Sequence, residues 1–90
     1  MGIEMIGRRI YPDETIKMHD LEPGDYAKAS DGTWWLRCPN GTWGRLRPTI
    51  HSITENEDGT ITVSPSIVCY SNKDVPGWHG YLERGIWREV

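Results

Sequence analysis

Apart from its carboxylates, the chain's candidates for ligand or nucleophile chemistry are Cys38, Cys69, His19, His51 and His79. Structural zinc is normally held by paired ligands such as C-x-x-C, because two ligands from one tight turn reduce the ordering cost. Here every candidate stands alone, and Cys38-Pro39-Asn40-Gly41 has the shape of a zinc-knuckle turn without its second cysteine. No cofactor is therefore expected. A zinc ion, were one held, would draw on Cys38, Cys69 and His79 with one further histidine. Both cysteines are expected to be buried thiols, too few for the disulfide framework of a secreted scaffold.

Catalytic patterns are thin. A cysteine with a distant histidine can form a thiol dyad, but no orienting third group or oxyanion loop accompanies these. Ser64-Pro65-Ser66 lacks the flanking glycines of a nucleophile elbow, and Pro65 there should end or bulge a strand. Neither a P-loop nor a dinucleotide-binding glycine pattern occurs. The acidic run Glu55-Asn56-Glu57-Asp58 reads as a solvated hairpin tip. The chain is expected to be a non-enzyme, with a thiol-dependent enzyme as the catalytic alternative.

The aromatic residues are more telling, with five Trp and four Tyr but no Phe. Both types combine a large apolar body with a polar handle, suiting a small core or a binding surface. Trp34 and Trp35 are adjacent on an extended run, so they face opposite sides of it. Trp78-His79-Gly80-Tyr81 follows a Val75-Pro76-Gly77 loop, and arginines 37, 45, 47, 84 and 88 lie close by in sequence. Trp, Tyr and Arg dominate interface hot spots. The candidate partner-binding set is Trp34, Trp43, Arg45, Trp78, His79, Tyr81 and Trp87. The expected partner is a protein or a second copy, a homodimer included, since a small β domain has free sheet edges. The same groups could stack single-stranded nucleic acid, but a net charge of −3 with interspersed signs ranks that second.

These residues must be positioned by short strands. Asp31-Gly32, Asn40-Gly41 and Asp58-Gly59 are dipeptides favoured in two-residue type I′ hairpin turns, and Arg84-Gly85 is a weaker fourth. Between them lie runs rich in β-branched and aromatic residues at 33–38, 43–47, 50–54, 60–63, 67–70, 81–83 and 86–89. The expected fold is all-β: a small antiparallel hairpin-built roll, sandwich or partly open barrel, with little or no helix. Residues 1–17 read as an N-terminal arm or extension and 18–90 as one small domain. At most a single helical turn fits within 12–22, where Pro23-Gly24 stops it. A chain of this length buries roughly 60–65% of its unfolded surface, so one core is all it supports. No run approaches the roughly 20 apolar residues of a membrane helix, nor does the N-terminus have the apolar centre of a secretion signal. A cytoplasmic location is therefore expected.

Three segments, Cys38 to Gly41, Asp58 to Ile67 (D-G-T-I-T-V-S-P-S-I) and Trp78 to Trp87 (W-H-G-Y-L-E-R-G-I-W), together resemble a family of small bacterial and phage proteins of unknown function. The resemblance spans roughly residues 18–88. It implies a β domain whose complete members look zinc-binding, with Cys38 and His79 matching two ligand positions. The remaining ligands are missing, since Asn40 and Gly41 supply no thiol and Pro76-Gly77-Trp78 replaces the cysteine-bearing stretch. The resemblance thus implies a branch that has lost its metal, acting as a phage accessory protein that binds a host factor or forms part of a virion. A zinc-ribbon-derived nucleic-acid binder is the alternative it leaves.

Overall fold

The turn dipeptides do organise the chain, though mostly not as type I′ turns. The computed structural model describes residues 4–90. At Asp31-Gly32-Thr33, Asn40-Gly41-Thr42 and Asp58-Gly59-Thr60 the same loop recurs. The glycine N–H donates to the carbonyl three residues back, at 2.9, 2.8 and 3.0 Å, and one wider bond closes the hairpin. Gly32, Gly41 and Gly59 have φ near +90°, while Asp31, Asn40 and Asp58 do not enter the left-handed region. This is the three-residue hairpin loop, a type I turn followed by a left-handed glycine. The residue before each glycine selects it: Asp31, Asn40 and Asp58 each accept the backbone N–H of the following Thr, at 2.9, 3.1 and 3.0 Å. Only Arg84-Gly85, with φ of 48° and 77°, is a two-residue loop with both residues left-handed.

Among the described residues nine strands result: β1 (Glu4–Ile6), β2 (Arg8–Ile10), β3 (Asp25–Lys28), β4 (Trp34–Arg37), β5 (Trp43–Arg45), β6 (Ser52–Glu55), β7 (Ile61–Cys69), β8 (Trp78–Glu83) and β9 (Ile86–Glu89). They form a five-stranded sheet, β1-β9-β8-β7-β6, and a four-stranded sheet, β2-β3-β4-β5. The all-β expectation holds; the barrel is not closed. One 3₁₀ turn, Met18–Asp20, falls in the segment between β2 and β3. That long segment is needed because β2 and β3 run parallel, whereas the other pairs are antiparallel. Arg8 and Asp25 are register partners there, and the guanidinium meets the buried carboxylate at 3.1 Å.

Residues 4–10 of the expected 1–17 arm contribute one strand to each sheet, and residues 1–3 lie outside the described residues. β1 pairs with β9 in one sheet, β2 with β3 in the other, and the chain crosses between them at Gly7. Gly7 N–H donates to Gly85 O at 2.7 Å. A Cβ at Gly7 would lie 2.8 Å from Gly85 O, 2.9 Å from Gly24 O and 2.9 Å from Trp87 Nε1, so only glycine fits. The fully buried Trp87 donates its indole N–H to Gly24 O at 2.9 Å and packs edge-on against Trp78, with ring centres 5.4 Å apart. Tyr26, Trp34, Leu36, Ile61 and Leu82 complete the interior between the sheets.

Cys38 and Cys69 form a disulfide joining the end of β4 to the end of β7, with Cα atoms 6.4 Å apart. The expectation of two free thiols is overturned. The sequence separation of 31 places the bond among long-loop cross-links, for which constraint of the unfolded chain is worth about 4 kcal/mol. β7 itself carries a bulge between Val63 and Ile67, at the Ser64-Pro65-Ser66 segment, as the proline suggested.

Two predictions follow from these restraints. A Cys38→Ala/Cys69→Ala variant should unfold with about 2–4 kcal/mol less stability in urea; unchanged stability would mean that the bond does not restrain the fold. The carboxyl of Asp58 is held below its usual range by its hydrogen bonds to the Thr60 hydroxyl and N–H, and that of Asp31 similarly by Thr33. A depressed pKa adds stability above the unfolded value that is lost as pH falls through the folded one. Asp58→Asn keeps the turn, as Asn40 does in the middle hairpin, and should flatten the acid-side decline in urea-melt stability while leaving neutral-pH stability little changed.

Candidate interaction surface

The disulfide removes the proposed metal set. Both sulfurs are bonded to each other, and His79 alternates away from the buried Cys69-facing side of β8, its Nε2 lying 2.9 Å from Ser66 Oγ. Among the described residues no group of three His, Cys, Asp or Glu side chains converges as a metal site. In this state neither cysteine offers a thiolate to the thiol chemistry considered above.

The candidate partner-binding residues separate into three places. Trp34, Trp78 and Trp87 are buried in the core and present no surface. His79 and Tyr81 lie on the exposed face of the five-stranded sheet. Trp43 and Arg45 lie on β5, the edge of the other sheet. Alternation carried the signal that sorts them. Trp34, Leu36 and Cys38 form one apolar series and Trp35 and Arg37 the other, so Trp35 is the outward ring. Likewise Trp78, Gly80 and Leu82 go in, and His79, Tyr81 and Glu83 go out.

On the outer face of β4 and β5 the aromatic and basic residues form a chequered array. Arg37 pairs with Trp43 and Trp35 with Arg45 across the strands. Each guanidinium sits over the neighbouring ring, Arg37 5.0 Å from the Trp43 centre and Arg45 5.8 Å from that of Trp35. Such stacking holds the rings upright, each exposed contact being worth about 0.5–1 kcal/mol. Arg37 is further tied by bonds to Gly41 O at 2.6 Å and Leu21 O at 2.9 Å.

This array borders a groove of about 570 Å³ between β5 and the second half of β7. Its floor includes Cys38, Cys69 and Leu46, and its rim Trp43, Ile50, Val68 and Tyr70. Those rim residues are 45%, 58%, 60% and 81% exposed, an uncommon concentration of large apolar groups in water. Ile50, Val68 and Tyr70 are contributors that sequence reasoning missed; their exposure follows from the open side of the sheet pair, which no local pattern reports.

The arginines divide by role. Arg8, Arg9 and Arg88 are in ion pairs with carboxylates, Arg9 also lying over the rings of Tyr11 and Trp34 and bonding Gly59 O. Arg45 and Arg47 line the groove, make no such pair among the described residues, and no Asp or Glu lines the groove with them. No family model, curated protein or solved structure matches the chain. No helix among the described residues is long and apolar enough to cross a membrane.

The burial pattern separates the tryptophans experimentally. Trp34→Ala should cost about 3–5 kcal/mol through the cavity it leaves. Trp43→Ala should cost under about 1 kcal/mol, because its ring is half in water and loses one stacked arginine. Chemical denaturation of both variants checks this, and a similar cost at the two positions would contradict the assignment of inside and outside.

Proposed function

We propose that this protein is a non-catalytic binding module that docks a protein partner on the Trp43–Arg45 edge and the adjoining groove. The observation that carries this reading is the concentration of exposed apolar side chains around one groove, next to two arginines that make no ion pair among the described residues. Stability does not require them there. A ring held upright by a guanidinium, beside further positive charge, is the composition of an interface centre. Bracing of the sheets is done by Gly7, by the disulfide beneath the groove and by the paired arginines, so the exposed rim is free for recognition.

A phage accessory role, as the sequence resemblance implies, suits such a module. Between host cytoplasm and virion the disulfide favours the virion, because such bonds persist in oxidising surroundings and on particle surfaces and are reduced in the cytosol. Self-association through the same edge is a second form of the proposal. Nucleic acid is the competing reading, favoured by the interleaved Trp and Arg of β4 and β5.

A Trp43→Ala/Arg45→Glu variant separates these. The wild-type and variant proteins should melt within a few degrees of one another. Immobilised wild type should retain a protein partner after nuclease treatment, and the variant should lose it. Capture that is equal for both proteins would overturn the proposed surface. Retention of wild type on single-stranded oligonucleotides, falling steeply with salt, would replace the protein-binding reading with the nucleic-acid one.

A further inference from the structure

The groove is bounded by two strand edges whose backbone groups have no partner strand. Cys38 N–H donates to Thr42 O at 2.8 Å and Leu46 N–H to Trp34 O at 3.1 Å. Residues 42, 44 and 46 therefore bond inward to β4, and alternation turns the N–H and C=O of Trp43 and Arg45 outward. On the other side, β8 bonds to β9 through His79, as Val90 N–H to His79 O at 2.9 Å shows. Trp78 and Gly80 then bond to β7 at their register partners Cys69 and Ile67. This leaves the N–H and C=O of Ser66 and Val68 facing away from β8. β6 covers that side of β7 only from Ile61 to Ser64. Beyond the bulge, the edge is open.

Trp43 and Arg45 on one side and Ser66 and Val68 on the other all line the same groove. Proteins normally blunt such edges. Here two remain, with apolar side chains around them and positive charge from Arg45 and Arg47.

We propose that this seam receives an extended, acidic segment of a partner protein as an added strand. The inference rests on the protein-binding reading above and deepens it by naming the form of the ligand. An extended chain offers hydrogen-bonding groups on both its edges, so it alone satisfies β5 and β7 together. Alternate side chains of the added strand would point inward over Leu46 and the disulfide and outward towards the Trp43 ring. Carboxylates on the segment would meet Arg45 and Arg47, which make no ion pair among the described residues, Asp31 acting on Arg45 only from longer range. The charge of the groove thus opposes that of the whole molecule, whose net charge is −3.

The probe is a library of short random peptides displayed for selection on the oxidised, full-length protein. Selection should enrich sequences alternating apolar residues with Asp or Glu. The synthetic form of an enriched peptide should lose roughly tenfold or more in affinity when alternate backbone amides are N-methylated. An Arg45→Glu/Arg47→Glu variant of unchanged melting temperature should lose the acidic peptides and select basic ones. Enriched peptides indifferent to N-methylation would overturn strand addition while leaving side-chain docking on the surface intact. Enrichment without acidic residues would overturn the charge assignment. Failure to enrich any peptide would overturn the inference while the partner-capture comparison still judged the wider reading. Sedimentation showing a dimer that the Arg45→Glu/Arg47→Glu variant abolishes would identify a second copy as the occupant instead.

Discussion

The chain passes between the two sheets twice, over residues 46–51 between β5 and β6 and, far more tightly, at the single residue Gly7 between β1 and β2. The crossing is so close that the carbonyls of Gly24 and Gly85 and the Trp87 indole N–H would all press on any side chain there. Trp87 fixes the geometry from within: its ring fills the interior and its N–H occupies the Gly24 carbonyl. Burying that indole unpaired would cost more than the hydrogen bond gains, so the contact sets position as well as stability. Once β1 and β2 are held on different sheets, most of the remaining strands follow by hairpins. The exceptions are the parallel β2–β3 pair, closed by the long 11–24 connection, and the passage from β5 to β6, which changes sheet.

A second link between the sheets is covalent. The Cys38–Cys69 bond joins the end of β4 to the end of β7, and Asn40 Nδ2 reaches the Pro76 carbonyl at 3.0 Å. A covalent clamp does what strand pairing would otherwise do, and this permits backbone edges to stay open beside it. The interaction surface is therefore a consequence of the way the fold is closed. Its apolar rim and unpaired arginines belong to the gap, while ion pairs such as Arg8–Asp25 and Arg9–Glu55 belong to the closed side.

Much of this was written locally in the sequence. The Asp-Gly and Asn-Gly dipeptides marked three hairpins, and the strand runs between them were legible from composition. The loop type was not, because it depends on Thr33, Thr42 and Thr60 receiving the preceding Asp or Asn side chain. Arg84-Gly85, the least conspicuous dipeptide, forms the two-residue turn. β3 escaped notice because Tyr26 and Ala27 are both buried, so no alternation advertises it. The series Trp34, Leu36, Cys38 marks Trp34 as an inward ring and Trp35 as the outward one, and that signal is local. The disulfide was not readable: Cys38 and Cys69 meet only because two different sheets bring them together, and two isolated cysteines 31 residues apart carry no local sign of pairing. The surface was half legible, through Trp43 and Arg45, while its β7 side required knowing where β6 stops.

The central claim is that the sheet pair is sealed at Gly7 and open between β5 and the second half of β7. Residue-resolved amide hydrogen exchange on the free, oxidised monomer tests it most directly. The account predicts fast exchange at Trp43, Arg45, Ser66 and Val68, interleaved with protected amides at Gly44, Leu46 and Ile67. Uniform protection along both strands would contradict it, showing that the edges are already paired and that no seam is there to fill.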